Sequence, residues 1–335
     1  MLALPQPERG GSIQELREHL HVNDGAFVLV VSWVLAALRG RGPYPVLSLN
    51  GEQGSGKSII GDLLRQLIDP SAASLRVLPE DVRDLYVAGM NGHVLGFDNL
   101  SSISADVSDA LCRLSTGGGF SVRALFTDSD EVLFQGQRPI VMTSINDVAD
   151  RSDLADRLVL VRVHSIPDHE RKPEDDLRRA FDVARPRILG ALLDMVSHGL
   201  KTLPEVHIDA APRMADYARW VRACETAVWE AGTHMQVYNA NRRDAVEIVL
   251  EADPIAIAVR RLMEHRAEVV TTATELLDVL NKGASDDVKR SRDWPKAANA
   301  LSGRLIRLAP ALRRVGVAIT FERSGESRSI RLERR

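Results

Sequence analysis

The chain has 335 residues, a net charge of −3 and two cysteines, and these properties exclude several classes of protein. Cys112 and Cys224 lie far apart, without the short spacings of zinc ligands or of a disulfide framework, so we expect both to be buried, reduced thiols. The longest apolar stretch, residues 26–38, is too short to span a bilayer, and no signal peptide is evident. We therefore expect a cytoplasmic protein of two or three domains with no membrane partner.

The N-terminal residues predict two helices and a buried strand. Ser12 and Glu15 have the spacing of a capping box, which predicts a short helix. Asp24 is the predicted cap of an apolar helix that ends at Gly40. The apolar run of residues 45–49 is typical of a buried strand.

The most specific motif, GEQGSGKS, follows that strand and fits the pattern G-x-x-x-x-G-K-[ST]. We expect it to bind the phosphates of ATP through backbone N–H groups at the start of the next helix. The residues predicted to hold the nucleotide are Gly51, Glu52, Gln53, Gly54, Ser55, Gly56, Lys57 and Ser58. Lys57 would reach the β- and γ-phosphates, and the Ser58 hydroxyl would bind Mg²⁺. A glycine-rich turn without a ligand is the alternative.

A second buried strand, residues 94–97, leads into Asp98 of the sequence FDNLS. An acid at this place is predicted to hold Mg²⁺ through its water shell, with a helix N-cap as the alternative. The next residue is Asn99, whereas most ATPases of this layout carry a glutamate that activates water. An amide positions water but cannot take its proton, so ATP hydrolysis is less firmly predicted than ATP binding.

The following residues complete the predicted core. They predict a helix, a hairpin and two buried strands, with the helix at 104–114, the hairpin arms at 122–126 and 132–134, and the strands at 139–143 and 158–163. Asn146 is the candidate contact for the γ-phosphate and Thr143 is the second candidate. A plain turn asparagine is the alternative for Asn146.

The order of GEQGSGKS, FDNLS, RPIVMTSIN and DLADR resembles the ATPase core of AAA+ proteins, and the hairpin resembles that of superfamily 3 helicases and of phage and plasmid primase-helicases. The resemblance covers about residues 25–200. It implies an α/β fold with a P-loop AAA+ type parallel sheet flanked by helices. It also implies that Arg157 acts on the ATP of a neighbouring subunit, hence a homo-oligomeric ring with a hexamer as one candidate size. A surface arginine paired with Asp153 or Asp156 is the alternative.

The hairpin tip departs from the resemblance. It is acidic over residues 128–131, whereas those helicases commonly carry a basic residue that grips DNA, and this difference counts against strand translocation.

Residues 166–262 are predicted to form a helical lid, with helices at 174–183, 187–198, 212–232 and 244–250. The resemblance implies a lid arginine, for which Arg187 and Arg213 are candidates, although each fits an ordinary surface charge. Tyr217, Trp220 and Trp229 are predicted to be core residues rather than platforms for nucleic-acid bases.

The last residues, 268–335, predict a winged-helix domain, made of three helices and a hairpin with strands at 317–321 and 329–332. The first helix starts at the capping box Thr272–Glu275, the second near Trp294–Pro295, and the third at about Ser302, with Pro310 inside it. Residues 281–335 hold fourteen Lys and Arg against six Asp and Glu. The predicted DNA contacts are Arg304, Arg307, Arg313, Arg314 and Arg328. A solvated basic surface and a protein-docking module are the alternatives.

Together these features predict an ATPase core at 1–165, a lid at 166–262 and a winged helix at 268–335. The predicted function is that of an AAA+-like ATPase acting on DNA with ATP and Mg²⁺, as a replicative helicase or helicase loader of a mobile element. Its expected partners are DNA, copies of itself and other replication proteins. The alternative is an ATP-switched DNA-binding regulator with slow or no hydrolysis. A small-molecule kinase is a third, weaker interpretation because it leaves the basic C-terminal region unexplained.

Overall fold

A computed structural model of the chain describes residues 2–118, 120–123, 131–134, 136–145, 152–324 and 327–335, and only the backbone at 120–123, 131–134, 152, 323–324 and 327–328. The strands are β1 (Val46–Asn50), β2 (Leu95–Leu100), β3 (Phe120–Arg123), β4 (Glu131–Phe134), β5 (Ile140–Ser144), β6 (Leu158–Arg162), β7 (Glu268–Thr272), β8 (Val317–Ser324) and β9 (Ser327–Arg334). The helices are α1 (Ile13–Arg17), α2 (Asp24–Leu38), α3 (Lys57–Ile68), α4 (Val82–Asn91), α5 (Ala105–Thr116), α6 (Ser152–Ala155), α7 (Glu174–Thr202), α8 (Ala215–Glu225), α9 (Thr233–Ala252), α10 (Pro254–Met263), α11 (Ala273–Gly283), α12 (Asp286–Arg290) and α13 (Ala298–Arg314).

Contacts divide the chain into two compact units. The N-terminal unit comprises residues 1–148 and 157–242, and the C-terminal unit comprises residues 149–156 and 243–335. Each unit has its own buried apolar core. The mixed α/β fold class is confirmed, whereas the predicted division into an ATPase core, a lid and a winged helix stays a prediction.

A four-stranded parallel sheet in the order β2-β5-β1-β6 forms the centre of the N-terminal unit. Its strands are almost entirely buried, because helices such as α2 and α3 pack against them. The strand that ends near Thr143 lies next to the strand that precedes the glycine-rich loop, as expected. β3 and β4 form the predicted antiparallel hairpin. Its acidic tip lies outside the described residues.

Two helix ends differ from the prediction. The N-cap of α2 is Asn23, whose side chain accepts a hydrogen bond from the Ala26 N–H, and Asp24 is the first helical residue instead of the cap. Helix α7 continues through Pro186, where two separate helices were predicted. Phe181 and Ile188 are buried on either side of that proline, so core packing favours one continuous helix despite the lost backbone hydrogen bond.

The helices that follow α7 also depart from the predicted ranges. α8 is shorter than predicted, α9 is much longer, and α10 was not predicted. Tyr217 and Trp220 are buried in the core and Trp229 packs against it, which confirms their predicted role. Both cysteines are buried, as expected.

The C-terminal unit combines helices α10 to α13 with an antiparallel sheet in the order β7-β9-β8. The capping box at Thr272 and the β8–β9 hairpin were predicted, whereas β7 was not. The second helix is α12, which lies before the predicted site at Trp294–Pro295. Trp294 is instead a buried loop residue whose Nε1 donates to the Asn281 side chain at 2.8 Å. Pro310 lies inside α13 without ending it.

In the part of the chain that the structure describes, every helix is too short or too polar to cross a bilayer.

Candidate functional site

The loop between β1 and α3 has the backbone conformation that its glycines allow. Gly54 and Gly56 have φ values of +80° and +82°, a region that side chains with a Cβ rarely adopt. Gly51 is enclosed, because a Cβ there would lie 2.7 Å from both the Ser55 hydroxyl and the Val163 carbonyl. The loop therefore needs glycine at all three positions, and it leads directly into the N-terminus of α3.

Two polar side chains of the loop are buried. Ser55 has no exposed surface, and its hydroxyl has no hydrogen-bond partner among the described residues. Lys57 is 8% exposed, and its ammonium donates to the Glu52 carbonyl at 3.2 Å across the loop. A buried ammonium has three donors, so one backbone carbonyl leaves it capacity for an anion.

A hydrogen-bonded network joins α3 to the ends of β2 and β5. The Ser58 hydroxyl donates to Asp98 Oδ1 at 2.7 Å, and the Thr143 hydroxyl donates to the same oxygen at 2.5 Å. The Asn99 N–H donates to the Thr143 hydroxyl at 2.9 Å. Thr143 is fully buried, so this network holds Asp98 beside the start of α3.

The backbone around Asp98 departs from regular strand geometry. The Asp98 N–H donates to the Arg76 carbonyl at 2.8 Å, and a Cβ on Gly96 would lie 2.5 Å from the Ser74 carbonyl. The β2–β5 register shifts between Phe97 and Leu100, and Asn99 has a φ of 54°. Its side chain is exposed, so the amide group is accessible beside the network.

A cavity of about 630 Å³ opens over the loop, and sequence reasoning missed more than half of its lining. Part of its lining consists of loop and α3 residues, including Lys57 and Ser58. The rest comes from Glu18, His21 and Leu177 and from the segment 166–172 that precedes α7. This segment reads IPDHERK, and its cluster of charged residues directly after a core strand was the available signal.

Other predicted residues lie away from this cavity or outside the described residues. Asn146 is outside them. Arg157 directly precedes β6, where its carbonyl accepts the Val46 N–H at 2.8 Å, and its side chain is half-buried. Arg187, a candidate lid arginine, is paired with Glu15 at 2.7 Å. Its hydrogen bond to Glu15 lowers the pKa of that carboxyl.

The predicted DNA contacts lie in the C-terminal unit, and carboxylates engage Arg304 and Arg314. Arg304 pairs with Asp253 at 2.9 Å and with Asp293 at 3.6 Å. Arg314 pairs with Asp156. Arg307 and Arg313 lie on the exposed surface of α13 together with Ile306. The side chain of Arg328 is outside the described atoms.

Arg331 of β9, which was not among the predicted contacts, is held between Glu322 of β8 and Glu268 of β7. Its Nε lies 2.8 Å from Glu322 Oε1, and this hydrogen bond raises the pKa of the guanidinium.

No curated protein matches the chain. Among solved structures, the apo C-terminal region of NrS-1 is similar to this chain at 13% identity, covering 98% of this chain and 76% of that chain, with a TM-score of 0.46. A structure of JCV helicase bound to a small molecule is similar at 13% identity over 64% of each chain, with a TM-score of 0.31.

Two family matches cover most of the chain. Residues 255–335 match the AICE RepA C-terminal domain. Residues 16–247, more than half of the chain, match AICE RepA, the actinomycete integrative conjugative element replication proteins. The chain therefore belongs to the replication protein family of actinomycete integrative conjugative elements.

Proposed function

We propose that the chain is an AAA+-type P-loop ATPase that binds ATP and Mg²⁺ at residues 51–58 and acts on DNA during replication of a conjugative element. The observation that carries this proposal is the hydrogen bond from Ser58 to Asp98, which brings together the end of the glycine-rich motif and the acid forty residues later. Family membership supports the replication role.

The fit to a polyphosphate rests on the loop itself. Gly54 and Gly56 have positive φ values, and the loop ends at the N-terminus of a twelve-residue helix, where N–H groups favour an anion. The partnerless Ser55 hydroxyl and the Lys57 ammonium add donors. We therefore assign these residues the task of binding and orienting the phosphates.

The fit to Mg²⁺ rests on the oxygens of Ser58 and Asp98. Hydroxyl and carboxylate oxygens are the hard ligands that Mg²⁺ accepts, together with waters and phosphate oxygens. Mg²⁺ bound here would neutralise phosphate charge during phosphoryl transfer. Thr143 keeps Asp98 in place through its buried hydroxyl, so Thr143 acts as a positioning residue.

Asn99 is the proposed residue that positions water. Its amide is exposed beside Asp98, and it can accept a hydrogen bond from water without taking the proton. This chemistry predicts slow turnover unless another group supplies the base. Asn146 remains a proposed contact for the γ-phosphate, and Arg157 a proposed finger that acts on the ATP of a neighbour in a ring.

The C-terminal unit is the proposed DNA-binding part, with a winged-helix arrangement formed by α11, α12, α13 and the β8–β9 hairpin. Arg307 and Arg313 are exposed on α13, the helix that would enter the major groove. Arg304 and Arg314 would reach phosphates only if their carboxylate partners released them.

A second candidate function is an ATP-switched DNA-binding regulator, and Asn99 favours it because an amide is no general base. Replacing Asn99 with Glu distinguishes the ATPase that hydrolyses ATP on DNA from the ATP-switched regulator. A rise in turnover is expected if the rest of the site is competent, whereas no gain would weaken the switch interpretation.

The proposal is tested by steady-state ATP hydrolysis of the wild type and Lys57→Ala, without DNA and with single-stranded or duplex DNA. We expect DNA to stimulate hydrolysis by the wild type and Lys57→Ala to abolish it. Tight ATP binding with negligible turnover under every condition would exclude a motor and leave the switch.

A further inference from the structure

We propose that Arg171 is a phosphate clamp: it binds the phosphates of the nucleotide in its own subunit. Without nucleotide, its guanidinium pairs with Asp168. The inference rests on the proposed function, since it names a further residue that binds the nucleoside polyphosphate. It assigns a role to the segment between β6 and α7, which none of the sequence motifs covers.

The segment lies directly over the glycine-rich loop. A Cβ placed on Gly56 would be 3.5 Å from Ile166 Cδ1, and a Cβ placed on Gly54 would be 3.5 Å from Arg171 Nη2. Because the loop has no side chains at these positions, the guanidinium approaches its backbone closely. Arg171 thus lines the same cavity as Lys57 and Ser58.

The chain itself uses two of the three guanidinium nitrogens. Arg171 Nε donates to the Ile166 carbonyl at 3.2 Å, and Nη1 lies 3.2 Å from Asp168 Oδ1. Nη2, the nitrogen nearest Gly54, has no partner among the described residues. These contacts orient the planar group so that its remaining donors point to the loop.

The ion pair between Arg171 and Asp168 is weak enough for a phosphate group to replace the carboxylate. The Asp168 side chain is 92% exposed and that of Arg171 is 53% exposed, and exposed ion pairs of this kind contribute little. A polyphosphate carries several charges and forms charge-assisted hydrogen bonds with arginine. In the partly enclosed cavity we expect it to replace Asp168 as the partner of Arg171.

Other ionisable residues line the cavity besides Arg171 and Lys57. They include the basic residues Lys172, His21 and His169 and the acidic residues Glu18 and Glu170. His169 lies 3.5 Å from Glu170. Arg171 differs from these residues because the structure places its guanidinium against the loop backbone.

The test measures the Kd of a fluorescent ATP analogue with Mg²⁺ for five proteins. The variants are Arg171→Ala, Asp168→Asn, Lys57→Ala and the control Arg179→Ala, each compared with the wild type. Arg179 is an exposed arginine of α7 that pairs with Asp176 and does not line the cavity. Melting temperatures verify that each variant is folded.

We expect Arg171→Ala to raise the Kd about tenfold, the loss of a charge-assisted contact. Asp168→Asn should lower the Kd about two- to threefold, because it removes the competing carboxylate. Arg179→Ala should leave the Kd within about twofold of the wild-type value.

The clamp predicts that Arg171→Ala raises the Kd and that Asp168→Asn lowers it. A purely structural ion pair would instead make both variants bind the analogue more weakly. An unchanged Kd for Arg171→Ala, or equal weakening by Arg171→Ala and Asp168→Asn, would overturn the inference. If the wild type binds no ATP, the proposed function fails and the clamp with it. If the wild type binds and Lys57→Ala does not, while Arg171→Ala binds like the wild type, only the clamp fails.

Discussion

The glycine-rich loop and the arginine-rich C-terminal unit offer hydrogen-bond donors to an anion in two different ways. In the loop, buried groups such as Ser55 and Lys57 are held by backbone geometry and have few competing partners. In the C-terminal unit, arginines are abundant, but several are already paired, such as Arg304 with Asp253 and Arg331 with Glu322.

An excess of positive charge in a sequence is therefore not the same as charge that is available to bind an anion. Fourteen basic residues lie in the last 55 residues, yet their capacity for phosphate depends on which carboxylates are near them in the fold. A backbone-built anion site has no such competition, because its donors are N–H groups at a helix start. The loop is therefore the stronger prediction, and α13 needs a residue-by-residue test.

The largest effect within the comparison is expected at Thr143, whose hydroxyl joins Asp98 to the Asn99 backbone. Thr143→Val keeps the shape and removes both hydrogen bonds, so we expect Mg²⁺-dependent ATP turnover to fall about 10- to 100-fold. Thr143→Ser keeps the hydroxyl and is the matched control. Equal turnover in the Val and Ser variants would show that the network does not organise the site.

A second effect is expected on the pH dependence of the free energy of unfolding, because His234 is buried in the N-terminal unit. Burial lowers the pKa of His234 to about 3, so the folded protein keeps it neutral while the unfolded chain protonates near pH 6.5. This contribution to stability is complete above pH 6.5 and is lost as the pH falls toward 3. The slope is about 1.4 kcal/mol per pH unit, or about 2 kcal/mol between pH 6.5 and 5.

Urea unfolding of the wild type and His234→Gln at both pH values measures this term. Glu225 works in the opposite direction, since burial raises the pKa of its carboxyl, but it is present in both proteins and cancels. We expect the wild type to lose more stability than the variant on acidification. Identical losses in the two proteins would contradict the buried neutral histidine.

The smallest expected effect compares two arginines of the C-terminal unit. Arg313 is exposed on α13 and has no carboxylate partner in the described part of the chain, whereas Arg331 is held by two glutamates. Arg313→Ala should weaken DNA binding a few-fold and reduce the slope of log K against log salt by about 1. Arg331→Ala should leave both quantities nearly unchanged. Fluorescence anisotropy over a salt series measures them, and a larger loss for Arg331→Ala would reverse the proposed DNA-binding face.

Much of the fold could be predicted because local patterns carry it. The parallel strands and the helices α3 and α5 follow from apolar runs and caps, and the Ser58–Asp98 proximity follows from the order of strand ends. The phosphate-loop conformation of residues 51–58 could be predicted from the spacing of its glycines alone. For the strands, the helices and the loop, the residues that determine the structure are neighbours in sequence.

The remaining features depend on residues far apart in sequence. Arg314 and Asp156 are separated by 158 positions, and no local pattern indicates their pairing. The continuity of α7 through Pro186 depends on core packing that outweighs a local helix breaker. Arg171 was missed because its proximity to Gly54 arises only when the segment after β6 folds over the loop.

The most direct test of the central claim is calorimetric titration of ATP with Mg²⁺ into the wild type and Lys57→Ala. We expect one binding site per chain in the wild type and a loss of affinity of at least about tenfold in the variant, because the variant would lose the proposed contact of the buried ammonium with phosphate. Binding of equal strength in the two proteins, or no binding by a folded wild type, would contradict the assignment of residues 51–58 as the nucleotide site.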